Sequence, residues 1–296
     1  MDRRDRIEKT PIGLRWIDDA FHVLPTAGGF VMCLADMTRA RAAIRLMRDA
    51  RIPVTMAHLV VRACALVLAR NPQWHRLVCN YRRLTPATVD IGLSMAGRTT
   101  YAPVVVIPAV DATPLSTLVP TMIEAIDRAV EREERDLENM RRRLWVIPFA
   151  FVRRFILRCL NRSLWFRRRI AGTFQISMLP VGDACAPFIF YTGSVLATAA
   201  VRDRVVAIDG QPAVRPTMWL TLCADHTAMD GMQGGQFIEA IKDMLEGEEL
   251  VGEAQEACKA RRNGKSHPEA IGAGCAEVVA RGLPAAPPVN EGAEPS

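Results

Sequence analysis

Hydrophobic and polar positions along the chain switch period several times, and each switch marks an element. Residues 28–36 (Gly-Gly-Phe-Val-Met-Cys-Leu-Ala-Asp) are a nearly continuous apolar run of strand length. From 37 to 50 the period lengthens, placing Ala40, Ile44 and Met47 on one face of a basic amphipathic helix. Pro53 and Thr55 open a second helix, apolar on nearly all sides from Met56 to Leu68 and therefore buried, which ends at Asn71-Pro72. Residues 87–95 and 101–107 are strand-like, the latter rich in β-branched side chains. A long helix starts near Ser116 and runs to about Arg143, becoming highly charged after Arg128.

Further strand-like runs occupy 173–179, 188–201, 204–208 and 216–224, with a turn at Asp209-Gly210. Residues 236–246 form an amphipathic helix with Phe237, Ile241 and Leu245 in register. Beyond Gly247 the chain turns to Ala, Gly, Pro and Glu without periodicity. This pattern predicts a folded domain over 1–251 and a disordered tail over 252–296. Strands and helices mix without strict alternation, which predicts an α+β fold and not a doubly wound sheet.

Composition changes this picture in one respect. Of the net charge of +6, residues 141–169 carry ten arginines and no acidic residue, so the rest of the chain sums to −4. The basicity belongs to one segment. Half of the 296 residues are hydrophobic, enough for a large core. The charged stretch Met1 to Lys9 is followed by no signal-peptide apolar region. The eight cysteines are scattered, without a C-x-x-C or a Cys/His cluster at metal spacing, so a cytoplasmic protein without a metal is expected.

The chemistry concentrates at Thr221-Leu-Cys-Ala-Asp-His226-Thr-Ala-Met-Asp230-Gly231. An apolar strand ends in a histidine, and an Asp-Gly turn and a helix follow. A histidine leaving a strand at a fixed turn suits a general base near neutral pH, since free imidazole titrates at roughly 6.5. A core histidine beside an ordinary Asp-Gly turn explains the same residues. His58, in an apolar helix, reads as a satisfied core or surface residue; His75 lies in a helix-exit loop.

Taken in order, these elements resemble the catalytic domain of the dihydrolipoamide acyltransferases of 2-oxo acid dehydrogenase complexes and, more distantly, chloramphenicol acetyltransferase. His226-Thr-Ala-Met-Asp230-Gly231 resembles that family's His-x-x-x-Asp-Gly signature, and Gly172-Thr-Phe-Gln-Ile-Ser177 its Gly-Thr-Phe-x-Ile-Ser strand. Val89-Asp-Ile-Gly-Leu-Ser94, Pro103-Val-Val-Val-Ile-Pro108 and the arginine-bearing Thr10-Pro-Ile-Gly-Leu-Arg15 are similar to further family segments. The chain departs from the pattern at Thr227, where the family has Arg, and at Met178 and Pro180. It shows no lipoyl domain, no peripheral-subunit-binding domain and no linker upstream.

The resemblance implies a mixed sheet flanked by helices, assembled as a homotrimer or as a larger assembly of trimers with active sites between subunits. It implies acyl transfer from coenzyme A, used as a substrate, to a thiol, hydroxyl or amine acceptor. His226 would be the general base and Ser177 the oxyanion donor. Asp230 would brace the loop with Arg15, and Gly231 would complete the turn. Two alternatives stand beside this: a lipoamide acyltransferase served by a lipoyl domain on another chain, and a catalytically lapsed trimeric scaffold or membrane-associated binding protein.

The arginine-rich segment, expected as an insertion over about 131–170, has no counterpart in the family. Arg154, Arg158 and Arg162 recur every four residues as a basic helical stripe, with Phe151, Phe155, Ile156, Cys159 and Leu160 on other faces. Its uninterrupted apolar run, 144–152, is far short of the ~20 residues that span a bilayer. Three readings follow: a helical pair packed on its own trimer, an interfacial helix on anionic lipid, or a docking element for an acidic partner. Nucleic acid is not expected, because no stacking or base-reading motif accompanies the charge.

Overall fold

Strands and helices interleave irregularly in the computed structural model, which describes residues 5–9, 28–79, 81–94, 104–146, 149–179, 182–187, 189 and 191–263. The strands are β1 (Arg6–Lys9), β2 (Gly28–Asp36), β3 (Leu77–Cys79), β4 (Arg82–Thr85) and β5 (Ile91–Ser94), then β6 (Val104–Ile107), β7 (Phe174–Met178), β8 (Ser194–Thr198), β9 (Arg202–Ile208) and β10 (Gln211–Asp225). The helices are α1 (Thr38–Asp49), α2 (Met56–Arg70), α3 (Leu115–Val146) and α4 (Ala150–Asn161), followed by α5 (Leu164–Ala171), α6 (Gly231–Glu246) and α7 (Glu249–Arg262).

The main sheet has the order β2-β10-β8-β7-β5-β6, and β9 pairs with the first half of β10. Strand β7 is parallel to both β5 and β8, whereas the other pairings are antiparallel. A separate sheet, β1-β4-β3, joins Arg6–Lys9 to Arg82–Thr85. The expected α+β mixed sheet flanked by helices is the fold observed.

Period-two alternation decides which side chains of the sheet face the helices. Phe174, Ile176, Leu196, Leu220 and Leu222 enter the buried cluster with Ile44 and Met47 of α1 and Phe237 and Ile241 of α6. Gln175, Ser177, Thr221 and Cys223 have the opposite parity and point to the other face. Phe237 anchors α6 by meeting Phe174 edge-on at 5.5 Å and Trp74 at 5.7 Å between ring centroids.

Helix α2 is buried nearly all round, as its composition predicts, and it buries two polar residues with it. The His58 Nδ1 accepts the Thr55 N–H at 3.1 Å and closes a capping box at the helix start. Arg62 forms a fork on Glu253, with Nε 2.9 Å from Oε2, and also donates to the Val110 carbonyl at 2.8 Å.

That glutamate corrects one expectation. The domain does not end at 251, because α7 continues to Arg262 and buries Leu250, Ala254, Ala257 and Cys258. These residues repeat on one helical face, and Glu253 satisfies the otherwise unpaired Arg62 charge, so the segment packs despite its small side chains. Residues 264–296 of the expected tail lie outside the described residues. So does Arg15.

Candidate active site

The histidine loop is built by hydrogen bonds at both ends. Strand β10 finishes at Asp225, whose N–H donates to the Gly193 carbonyl at 2.8 Å. The Asp225 carboxylate then accepts from the Thr227 N–H at 2.9 Å and the Thr227 hydroxyl at 2.8 Å, turning the chain away from the sheet. Its carbonyl accepts from the Ala228 and Met229 N–H groups at 2.9 and 3.0 Å. His226 sits at the apex of this turn with its side chain exposed.

Asp230 closes the far end as the N-cap of α6. Its carboxylate accepts the Gln233 N–H at 2.8 Å, and the Gln233 side chain accepts the Asp230 N–H at 3.4 Å. This capping box gives Asp230 a structural task within the chain. Gly231 opens the helix in the open; a Cβ there would meet nothing within 4 Å.

Sequence reasoning missed the closest bracing around the histidine. The Asp225-x-Thr227 pattern is a readable turn signal, and it gives Thr227 a role where the family carries arginine. Gly193 left no such signal. A Cβ on it would lie 2.7 Å from the Arg76 carbonyl oxygen and 3.3 Å from the Ala228 Cβ, so only glycine lets these segments meet. His75, next to Arg76, is buried, and burial lowers its pKa to about 4.

Ser177 lies on β7, half-buried, level with Ser94 on one side and Ala197 on the other. Gly172 leads into this strand with φ 74, and a Cβ there would collide with the Asp90 carbonyl oxygen. Thr173 locks the junction: its hydroxyl accepts the Asp90 N–H at 2.9 Å, and its own N–H donates to the Asp90 carbonyl at 2.6 Å. The Asp90 carboxylate in turn accepts Arg168 Nε at 2.8 Å.

Within one chain Ser177 and His226 are not brought together. Ser177 is level with Ala197, which is level with Thr221, four residues before Asp225. Two strand spacings and four strand rises put the Cα atoms of Ser177 and Asp225 roughly 16 Å apart.

Residues 172–252 match the family model of the 2-oxoacid dehydrogenases acyltransferase catalytic domain. The segment that carries the histidine loop is similar to that catalytic domain. Two curated relatives of this acyltransferase segment are dihydrolipoyllysine-residue succinyltransferase components of 2-oxoglutarate dehydrogenase complexes. The one from Rickettsia bellii is 38% identical over 83 residues, covering 27% of this chain and 21% of the relative. The one from Bartonella vinsonii is 38% identical over 57 residues, 19% of this chain and 14% of the relative. The matched segment thus spans about a fifth or less of these relatives.

The likeness in fold extends over much more of the chain. The Azotobacter vinelandii dihydrolipoamide acetyltransferase has a TM-score of 0.59 at 20% identity, covering 83% of this chain and 94% of that one. The cubic core of a pyruvate dehydrogenase multienzyme complex gives 0.57 at 20% identity with the same coverage. A probable dihydrolipoamide acetyltransferase from Listeria monocytogenes gives 0.56 at 18%, covering 81% and 94%. At these identities the likeness speaks for the fold.

Proposed function

We propose that the protein is a coenzyme A-dependent acyltransferase whose site is completed between two copies of the chain. The observation that carries this reading is the histidine loop: an exposed imidazole on a turn braced by Asp225, Gly193 and Asp230, inside the segment that matches the acyltransferase family. The acceptor thiol, hydroxyl or amine gives its proton to His226 as it attacks the thioester carbonyl carbon. The carbonyl oxygen becomes an anion that the Ser177 hydroxyl donates to. Collapse re-forms the carbonyl and expels the coenzyme A thiolate, which takes the proton back from the imidazolium. Every atom is accounted for without an acyl-enzyme.

The Cα atoms of Ser177 and of Asp225, the residue before His226, are roughly 16 Å apart, further than a serine and a histidine side chain reach around one carbonyl group, which supports a Ser177 supplied by a neighbouring copy. The outer face of β2 suits such a neighbour, since Phe30 and Met32 stand 68% and 62% exposed beside buried Cys223 and Thr221. A trimer-based assembly, as in the cubic core the fold resembles, is the form this reading expects. The Azotobacter enzyme's mechanism was examined at a serine, a histidine and an asparagine; four residues after His226 this chain carries Asp230, and we assign it to bracing the loop. Arg15 is proposed as a second brace on Asp230. The relatives' names favour dihydrolipoamide, on a lipoyl domain supplied by another chain, as one acceptor.

Release of free thiol from a panel of acyl-CoA thioesters, with and without dihydrolipoamide, tests the reading. His226→Ala should lower turnover by about 10²–10⁴-fold, and Ser177→Ala by about 10²–10³-fold. Unchanged turnover in His226→Ala would refute the base. No turnover by the intact protein would leave the lapsed scaffold. Refolding the two inactive variants together should restore about a quarter of wild-type activity, by random pairing across each interface. No recovery would place both residues in one chain's site and overturn the shared-site reading.

A further inference from the structure

Helix α4 is exposed along most of its length, more than any other helix among the described residues. Phe149, Phe151 and Phe155 are 62%, 71% and 68% exposed, and Ile156, Leu157 and Leu160 are open as well. At 100° per residue, Phe151, Phe155, Cys159, Val152, Ile156 and Leu160 fill one half of the helix, while Arg153, Arg154 and Arg158 lie on the other. An apolar half that large is rarely left in water without a partner.

The chemistry around α4 selects the partner. No acidic residue occurs anywhere in 141–169, so the surface that meets it carries negative charge. The apolar half is aromatic and broad, and arginines adjoin it, with Arg154 and Arg158 next to Phe151 around the helix. That is the arrangement of a helix lying in a headgroup layer, with rings in the acyl boundary and guanidinium groups reaching the phosphates. Trp165, 69% exposed with the Arg169 guanidinium 5.4 Å from its ring centroid, adds an amphipathic aromatic of the kind found at that depth. At 12 residues α4 is about 18 Å long, and among the described residues no helix is long and apolar enough to cross a membrane. It can only lie along the surface.

The helix is also held in place. Cys79 Sγ approaches the Arg162 carbonyl at 3.3 Å at the end of α4. Just beyond, Arg167 donates to the carbonyls of Tyr191 at 2.6 Å, Val78 at 2.7 Å and Thr192 at 3.2 Å. A helix anchored this way keeps its open half turned outward, so little ordering is needed on binding.

We infer that α4 is an in-plane anchor that seats the protein on an anionic bilayer, with Phe151 and Phe155 inserted and Arg154 and Arg158 on the lipid phosphates. This inference does not rest on the acyltransferase reading. Flotation of the full-length protein with vesicles of phosphatidylcholine alone, or of phosphatidylcholine with phosphatidylglycerol, tests it. Binding is expected to the anionic vesicles only, and to weaken as salt is raised. Arg154→Gln/Arg158→Gln should weaken it by roughly 25-fold, about fivefold per arginine. Phe151→Ser/Phe155→Ser should weaken it at least about tenfold.

Both pairs are exposed, so folding is unaffected, and an unchanged urea unfolding midpoint serves as the control. Failure of any variant to change vesicle binding overturns the inference, as does no binding to anionic vesicles. A change of assembly mass in the phenylalanine variant without loss of flotation would mean that another copy of the chain covers α4, which also overturns it. Recruitment by an acidic protein without vesicle binding has the same consequence.

Discussion

Replacing Arg167 by Met keeps the apolar stem and removes the clamp that ties α5 to β3 and to the turn before β8, which abuts the histidine loop. The buried guanidinium holds the carbonyls of Tyr191, Val78 and Thr192. Tyr191 itself sits at φ 62, a left-handed conformation that costs a non-glycine residue about 1 kcal/mol and persists because its surroundings fix it. Each lost charge-assisted bond contributes about 1.5 kcal/mol net, and a water entering the vacated space recovers part of it. The expected loss is therefore about 3–5 kcal/mol, or roughly a 10 °C fall in melting temperature for a domain of this size. Arg167→Lys should fall between, because an ammonium keeps one or two of the bonds. Arg169→Met, at an exposed position, should stay within about 0.5 kcal/mol. Urea unfolding at fixed protein concentration measures all three. Since Thr192 leads directly into Gly193, which holds Asp225, Arg167→Met assayed well below its melting point should also lower kcat more than it changes KM. An Arg167→Met protein within about 1 kcal/mol of wild type would refute the clamp.

The remaining predictions concern acid stability and one glycine. Burial lowers the pKa of both His58 and His75 to about 4, against roughly 6.5 in the unfolded chain, so each contributes stability above pH 6.5 that is lost as pH falls toward 4. At pH 5 the loss is about 2 kcal/mol per histidine. His58→Gln, which keeps the capping acceptor, should flatten the pH dependence of the urea midpoint by that amount, and an unaltered slope would count against it. Gly193→Ala forces Arg76 and the histidine loop apart, and should cost about 1–3 kcal/mol of stability and more than about tenfold in thioester turnover. Wild-type turnover would show that this contact does not position His226.

Elements with a clear period were readable, and those stabilised by partners far along the chain were not. The apolar run of β2, the all-apolar α2 and the Phe237-Ile241-Leu245 stripe of α6 each carry their own signal, so the sheet and its helical cover were legible. Strands β1, β3 and β4 are three or four residues long, and Arg82-Arg83 looks like solvated loop until Arg6–Lys9, some eighty positions earlier, pairs with it. Among the described residues of the expected strand over 188–201, the strand is Ser194–Thr198, and Tyr191 turns left-handed just before it. Helix α7 was mistaken for tail because alanine and glutamate carry little apolar signal, although Glu253 is committed to Arg62. At the site, the His226 motif and the Gly172-Thr173 junction were visible. A site divided between chains was implied only by the family resemblance and not by the residues themselves, since register across three strands is a tertiary fact.

The arginines of 141–169 also show why a uniform charge run in sequence conceals different physical tasks. Arg167 and Arg168 spend their donors inside the fold, the first on three carbonyls and the second on Asp90, Asp5 and the Thr88 hydroxyl. Arg154 and Arg158 extend from an exposed helix. Deleting the whole segment is thus a poor probe of surface binding. It would remove the clamp on Tyr191 and Thr192 and the partner of Asp90, and so disturb both the histidine loop and the start of β7. A deleted protein that failed to float with vesicles would report unfolding as readily as a lost anchor. Substitutions confined to Phe151, Phe155, Arg154 and Arg158 leave every one of those internal bonds intact. Only such variants tie a change in vesicle binding to α4 itself.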